Sequence, residues 1–529
     1  MPEPHLDPPL RDDRSMRVIR GWWAIAGVLS GLLGLGLSYA AAELLHVRES
    51  PTVAVAEGVT DLTPGSVAHW AIDTFGTDDK KMLVVGIFII LMFTFGLLGR
   101  LARQHWWAAM LGFGVLAGVA VIAVLTKPTP SSTDVAPVAV GLLSWIVSLS
   151  LLAERLRRWE LVADSGEVAE EPMHTRRGFF AAAVAVGGVA AFGGLLGRVA
   201  GGSRRKAEAS RRLLRIEGVT APDIPDGVSF GIDNVSPWQT PSDRFYLIDT
   251  VFRKPAIDPA DWSLRIHGMV DKEITITYDD LVGREITEDW ITLNCVSNEI
   301  GGDLIGNAWW GGVRLASILA EAGPQVDKGA NAVYQTSEDG WTCGTPLGAL
   351  MDERNAMLAV AMNGEPLPIE HGFPVRTIVP GLYGYVSATK WVVDLEVTRF
   401  EDISAFWTDK GWSERGPVKI ASKIEVPHDG DQVPVGALVC AGTAWFQHTG
   451  ISAVQIQIDG GGWQPAELAR VPGIDTWVQW RATLEIPEGE HQIRVRATGK
   501  DGEVQTGAIA DVLPDGATGW HTIDITANA

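Results

Sequence analysis

The chain has 529 residues, of which 46% are hydrophobic, and a formal net charge of −21. That length allows two or three domains, and the apolar share exceeds that of a plain soluble enzyme and points toward membrane. An acidic balance whose cations sit beside apolar stretches argues against a nucleic-acid-binding role.

Four nearly uncharged stretches come first, at residues 22–42, 82–98, 106–125 and 138–153, and a fifth follows at 179–196. Each is about long enough to cross a hydrocarbon core of roughly 30 Å as a helix. One such stretch reads equally as a buried core helix; five within the N-terminal part of the chain predict an α-helical membrane region. Arg11, Arg14, Arg17 and Arg20 precede the first, Arg100 and Arg103 separate the second from the third, and Arg155, Arg157 and Arg158 follow the fourth. Basic residues near helix ends stay in the cytoplasm, so these ends lie inside and the connectors 46–81 and 126–134 outside.

The fifth stretch departs from that pattern. Arg176 and Arg177 precede it, yet Arg198, Arg204, Arg205, Lys206, Arg211, Arg212 and Arg215 follow it, in what reads as a basic linker over 201–215. The run is also rich in Ala and Gly and less apolar than the second. RRGFF followed by such a run resembles a twin-arginine export signal. The whole arrangement resembles that of actinobacterial membrane proteins whose early helices enter by the general insertion machinery and whose last helix is passed to the twin-arginine system. That resemblance implies a domain folded around its cofactor before it crosses. The plain alternative makes the two arginines cytoplasmic anchoring charge.

Several cofactors are excluded directly. No GxxxxGK[ST] loop and no CxxCH occur, and Cys295, Cys343 and Cys440 are too few for a four-cysteine cluster. From residue 216 onward, strand-like runs such as ITITY and VVDLEV alternate with helical patterns such as RLASILAEAG. Two stretches, ITLNCVSNEIGG with GNAWWGGVRLASIL after it, and MNGEPLPIEHGFPVRTIVPGLYGYVSATKWV, resemble the two signature regions of the sulfite oxidase family of molybdopterin enzymes. The likeness extends more loosely from FYLIDTVFRKPAIDPADWSLRIHG to the C-terminus.

The resemblance implies an α+β molybdopterin domain over 216–415 holding molybdenum–molybdopterin, with Cys295 as the metal-ligating thiolate. A soft thiolate suits molybdenum beside the pterin's dithiolene. Asn298 and Glu299 follow in the catalytic loop. His371, Arg376 and Lys390 match positions that hold the cofactor's phosphate and pterin, Ala388 and Thr389 positions that lend backbone groups, and Tyr246 and Asp339 further pterin contacts. Departures matter as well. Glu299 stands where sulfite-oxidising members carry an arginine, Ile248 replaces another, and AFWTDKGWSERG offers Asp409 or a neighbour in place of the family's tyrosine. A pocket that exchanges cations for a carboxylate and an aliphatic group argues against sulfite.

Residues 416–529 alternate short strand-like runs with Gly- and Pro-containing turns, which predicts an all-β immunoglobulin-like sandwich. The family's counterpart often mediates dimers; a stabilising module without a partner is the other reading. A disulfide between Cys343 and Cys440 stays open. His46, His69, His105 and His174 fall in connectors or at helix ends and none within the five apolar runs, so no haem is expected and a separate redox protein must exchange the electrons. The expectation is a multi-pass cell-membrane protein whose extracytoplasmic domain transfers an oxygen atom to or from a small molecule. Sulfite dehydrogenation and S- or N-oxide reduction are alternatives, as is a non-enzymatic envelope scaffold.

Overall fold

The computed structural model describes residues 13–528 except 46, 48–49, 65–66, 68–73, 75–78, 127–131, 166–170, 201 and 252. Arg11, His46 and His69 lie outside the described residues. Two units are distinguished, one running through Arg205 and one beginning at Lys206, with 251–253 grouped with the first.

In the first unit the apolar stretches become helices, α1 (Asp13–Leu44), α3 (Asp79–Gln104), α4 (Trp106–Leu125), α5 (Ala136–Ser165) and α6 (Glu171–Ala200), all but α4 outrunning their stretch at both ends. Backbone hydrogen bonding propagates into charged flanks that hydropathy leaves out. A short helix, α2 (Pro51–Leu62), lies in the first connector, where no helix was predicted; its proline at the start is the signal that marks it. Among the described residues, five helices are long and apolar enough to cross a membrane: Gly21–Leu44, Lys81–Gln104, Trp106–Leu125, Thr133–Val162 and Arg176–Arg198.

Helix α1 packs against α3, α5 and α6. Glycine makes the first approach possible, because a Cβ on Gly27 would lie 2.1 Å from the Phe95 carbonyl oxygen and one on Gly99 2.2 Å from that of Trp23. The indole of Trp145 donates to the Gly31 carbonyl at 3.0 Å, and its ring stacks on Phe113. Trp23 and Arg103 both donate to the Glu160 carboxylate, at 3.0 and 2.8 Å.

Residues 201–215, expected as a linker, contain helix α7 (Gly202–Leu213). From Lys206 onward it packs on the second unit. Ala207 is fully buried, Ser210 donates to Asp258 at 3.0 Å, and Arg211 donates to the Pro366 carbonyl at 3.2 Å. Bases around a thin apolar stripe hid this helix from a hydropathy reading.

The next strands are β1 (Ser263–Gly268), β2 (Ile274–Thr277), β3 (Thr287–Asn294), β4 (Ile305–Arg314), β5 (Ala332–Ser337), β6 (Thr342–Pro346), β7 (Met357–Met362), β8 (Glu365–Pro366), β9 (Arg376–Ile378) and β10 (Val392–Thr398). They form a mixed sheet in the order β2-β1-β10-β5-β6, with β1 and β10 parallel, and a second sheet, β3-β4-β7-β8, with β9 beside β7. Strand β7, MLAVAM, is buried at every residue, which explains why its sequence shows no alternation. RLASILAEAG supplies α8 (Leu315–Ala322), stopped by Gly323 at φ +69.

The C-terminal β region contains β11 (Ala421–Val426), β12 (Gln432–Pro434), β13 (Gly436–Trp445), β14 (Ile451–Ile458), β15 (Gln464–Pro465), β16 (Glu467–Leu468), β17 (Val478–Ile486), β18 (Gly489–Gly499) and β19 (Thr522–Asn528). Its two sheets, β11-β13-β17-β16 and β12-β19-β18-β14-β15, share a core that includes Cys440, Trp480, Ile456, Ile493 and Ile525. Burying such an aliphatic side chain contributes about 1.5–3 kcal/mol. Cys343 on β6 and Cys440 on β13 are free, buried thiols, so no disulfide joins them. Cys440 packs in the β core, whereas Cys343 lies 3.3 Å from the Thr389 hydroxyl; burial pushes their pKa values up to about 12 and about 11, respectively.

Candidate active site

Strand β3 is buried over its last five residues and delivers Cys295 directly beyond its end. The chain then closes a loop on itself. The Cys295 amide donates to the Leu304 carbonyl at 2.9 Å, the Asn298 amide to the Cys295 carbonyl at 3.1 Å, and the Leu304 amide to Asn298 Oδ1 at 2.8 Å. Asn298 is therefore buried as the loop's internal brace, whereas Glu299 is exposed and its carbonyl accepts from the Gly302 amide. Burial raises the Cys295 thiol pKa, and the Ser297 hydroxyl, 3.4 Å away, and the neighbouring amides oppose that rise. A buried thiol without a base beside it is a poor nucleophile but becomes a thiolate on meeting a metal cation.

The second signature stretch faces the same region. Arg376 begins β9, is 3% exposed, and lies over the Trp310 ring at 5.2 Å. Its Nη1 donates to the His371 carbonyl at 3.0 Å and its Nη2 to the Ala388 carbonyl at 3.3 Å, while Nε has no partner. Among the described residues it forms no ion pair with a carboxylate, and burial pulls its pKa down to about 10. His371, on the turn before it, donates or accepts through Nε2 at the Ser242 carbonyl, 2.9 Å away; since a carbonyl only accepts, Nε2 carries the proton. Burial, with Arg376 and Lys390 nearby, lowers its pKa to about 3, so the ring is neutral. Lys390 follows the turn after β9, where its ammonium donates to Asp249 at 3.0 Å; burial lowers its pKa to about 8.

Tyr246 joins the two halves. Its ring stacks on Phe245, and its phenol is raised well above 10 by burial and by the nearby Cys295, an effect that Arg376 opposes. Tyr246, Cys295, Arg376, His371 and Lys390 therefore share one neighbourhood. Ala388 and Thr389 border it, but their amides already have partners, in the Gly384 carbonyl and the Thr377 hydroxyl, at 3.0 and 2.8 Å. Asp339 sits on the β5–β6 turn, where its carboxylate accepts from the Trp341 amide; Ser337 and Glu338 beside it bond the Lys390 and Trp391 carbonyls. Asp409 bonds the Ser404 hydroxyl.

Three residues here were absent from the sequence reading. Asp249 accepts from Lys390 and lies 3.2 Å from Lys254, whose charge in turn reaches His371 and Lys390. Tyr383 is buried, its phenol pushed up to about 12 and sensing Cys295. A second phenol near the thiol, besides Tyr246, thus comes from GLYGYV, within the second signature, and not from 405–416, where a tyrosine was sought.

Comparisons with known proteins identify the family. The family profile described as "Oxidoreductase molybdopterin binding domain" matches residues 251–407. The uncharacterized oxidoreductase YuiH of Bacillus subtilis is 36% identical over 159 residues, which cover 30% of this chain and 76% of that protein. The chain belongs to the sulfite oxidase family of molybdopterin oxidoreductases. Mitochondrial sulfite oxidase of Homo sapiens is 28% identical over 322 residues, covering 52% of this chain and 57% of that protein, so the chain spans a little over half the length of such relatives. The sulfane dehydrogenase SoxCD of Paracoccus pantotrophus superposes with a TM-score of 0.45 at 23% identity, over 54% of this chain and 81% of that one.

The matched profile is that of a molybdopterin-binding oxidoreductase domain, and the cofactor of this family, molybdenum–molybdopterin, is the group the site would hold. The donor set fits that group. A guanidinium buried without a carboxylate, with an orphaned N–H, is costly unless an anion meets it. When bound, such a centre would supply two-electron oxygen-atom transfer.

Proposed function

We propose that this is a membrane-anchored, extracytoplasmic oxidoreductase in which Cys295 ligates the metal and Arg376, Lys390 and His371, with Tyr246, hold the phosphate and pterin. Buried Arg376, with an unbonded Nε and no carboxylate partner among the described residues, is the observation that carries this reading. Arg376 offers a planar donor fork to a phosphate, neutral His371, whose Nε2–H is engaged at Ser242, offers Nδ1 as an acceptor to a pterin N–H, and Lys390 offers a charge that Asp249 keeps oriented. Asn298 keeps the thiolate loop closed.

The division into a five-helix membrane region to residue 200, a catalytic domain over 216–415 and an immunoglobulin-like sandwich over 416–529 belongs to the same proposal. Support for membrane insertion comes from the number of large apolar side chains left exposed on these helices, such as Phe88, Ile89, Ile90, Phe93, Leu111 and Ile122. Arg176 and Arg177 are exposed at the start of the fifth span, as a twin-arginine signal requires. The anchor is electronically silent in this reading, and a separate redox protein exchanges electrons with the outer domain.

The substrate is a small molecule without the double negative charge of sulfite. Leu247 and Ile248, following Tyr246, are 45% and 43% exposed, and Glu299 is exposed beyond Cys295, so the solvent side carries apolar and acidic groups. The name of the human relative favours sulfite itself as a second reading. Purified full-length protein assayed against sulfite and against sulfoxides and N-oxides separates the two. Turnover of a neutral oxide with about one molybdenum per chain is expected, and efficient sulfite oxidation would overturn the substrate assignment.

A further inference from the structure

The loop that carries Cys295 is also held from its other side. Gly301 adopts φ +77, and a Cβ there would lie 2.2 Å from Nε2 of His521, so backbone and imidazole are in direct contact. The ring cannot retreat, because its Nδ1 accepts from the Ile424 amide at 2.9 Å. Next along the loop, the Gly302 carbonyl accepts from Lys423 Nζ at 3.4 Å. That ammonium is fixed by Glu425 at 2.9 Å, with both side chains less than a tenth exposed, and Glu425 accepts from Ser236. A Cβ on Gly519 would meet Ile300 at 2.6 Å.

These contacts come from β11 and from the segment entering β19, and they fall on backbone that is linked stepwise to the sulfur. Gly302 has room only for a hydrogen beside Asn298 Oδ1, which a Cβ would approach to 2.6 Å. Asn298 in turn grips Leu304 through its side chain and Cys295 through its amide. A shift at residues 301–302 therefore passes through Asn298 to Cys295. Burial and the charge of Lys423 lower the His521 pKa, which keeps Nδ1 free to accept.

We propose that His521 and Lys423 of the C-terminal β region are positioning residues for the metal-binding thiolate, bracing loop 295–304 through its backbone. This inference rests on the reading of Cys295 as the molybdenum ligand. Partners that orient a ligand without touching the metal tune its affinity and electronics.

The test uses full-length holoenzyme carrying His521→Ala, Lys423→Met, Gly301→Ala, the Gly301→Ala/His521→Ala pair, and Cys295→Ser. Measurements are molybdenum content, the Mo(V) electron paramagnetic resonance spectrum, and the melting temperature. His521→Ala and Lys423→Met are expected to shift the spectrum and to weaken metal retention about 10- to 100-fold; melting stays near that of the parent in His521→Ala and falls without loss of the fold in Lys423→Met, which leaves Glu425 buried and unpaired. Gly301→Ala alone should distort the centre, and adding His521→Ala should recover part of the parent spectrum by removing the clash. Parent-like spectra in the His521 and Lys423 variants, with the spectrum changed by Cys295→Ser, would overturn the inference and leave the functional reading intact. An unchanged spectrum in Cys295→Ser would overturn that reading itself. Global unfolding of all the brace variants would make these contacts general fold support and also overturn the inference.

Discussion

Replacing Arg376 with methionine separates a residue kept for its ligand from one kept for the fold. The guanidinium has five N–H donors, of which two are engaged by the His371 and Ala388 carbonyls, leaving three, including the orphaned Nε. Without the cofactor, its pKa falls from 12.5 to about 10 through burial. At about 1.4 kcal/mol per pH unit, that fall represents a cost of about 3 kcal/mol for the charged form. Methionine removes this cost but strips two carbonyls of their donors, at about 1 kcal/mol or somewhat more each. The two effects nearly cancel, so the apo-protein should change in stability by less than about 2 kcal/mol, a few degrees in melting temperature. A guanidinium with a structural carboxylate partner would instead cost about 3–5 kcal/mol on removal. Cofactor binding should suffer far more. Two lost hydrogen bonds to an anion, at about 1.5–3 kcal/mol each, weaken retention by about 10² to 10⁴. Apo-protein from a host that cannot make molybdopterin serves for the melting curves, and the pterin and molybdenum of protein from a competent host serve for retention. An apo-protein strongly destabilised by Arg376→Met, together with parent-like pterin content, would refute the reasoning.

Cys295→Ser should abolish turnover while the pterin contacts keep part of the cofactor, as measured by activity and pterin fluorescence; full turnover would sink the ligand assignment. Lys390 is a base whose pKa is lowered to about 8, so its ammonium is present below that pH and lost above it. Binding of inorganic phosphate to the apo-protein should therefore weaken as pH rises from about 7 to about 9, and Lys390→Arg should flatten that decline in a calorimetric titration. Exchanging Arg176 and Arg177 for lysines should leave the first four helices inserted and strand the catalytic domain inside, which protection from external protease would reveal; normal external cleavage would argue that the arginines are only anchoring charge.

The sequence by itself determined the five apolar helices, because a bilayer-length run of uncharged residues is a local property that needs no tertiary partner. It also determined family and cofactor, because MNGEPLPIEHGFPVR and LNCVSNEIGG are long contiguous strings. The alternating runs after residue 416 announced a β region for the same reason: period two is written along the chain. Tertiary structure decided what depends on residues far apart meeting. Helix α7 shows its apolar stripe only once Ala207 is buried and Ser210 reaches Asp258. Asp249 becomes a partner of Lys390 across 141 positions, and a second phenol near Cys295, beside Tyr246, proves to come from Tyr383. That Arg376 lacks a carboxylate, and that His521 presses on Gly301, are facts of packing. Burial and unsatisfied donors arise from the surrounding shell of atoms, and no linear pattern records them.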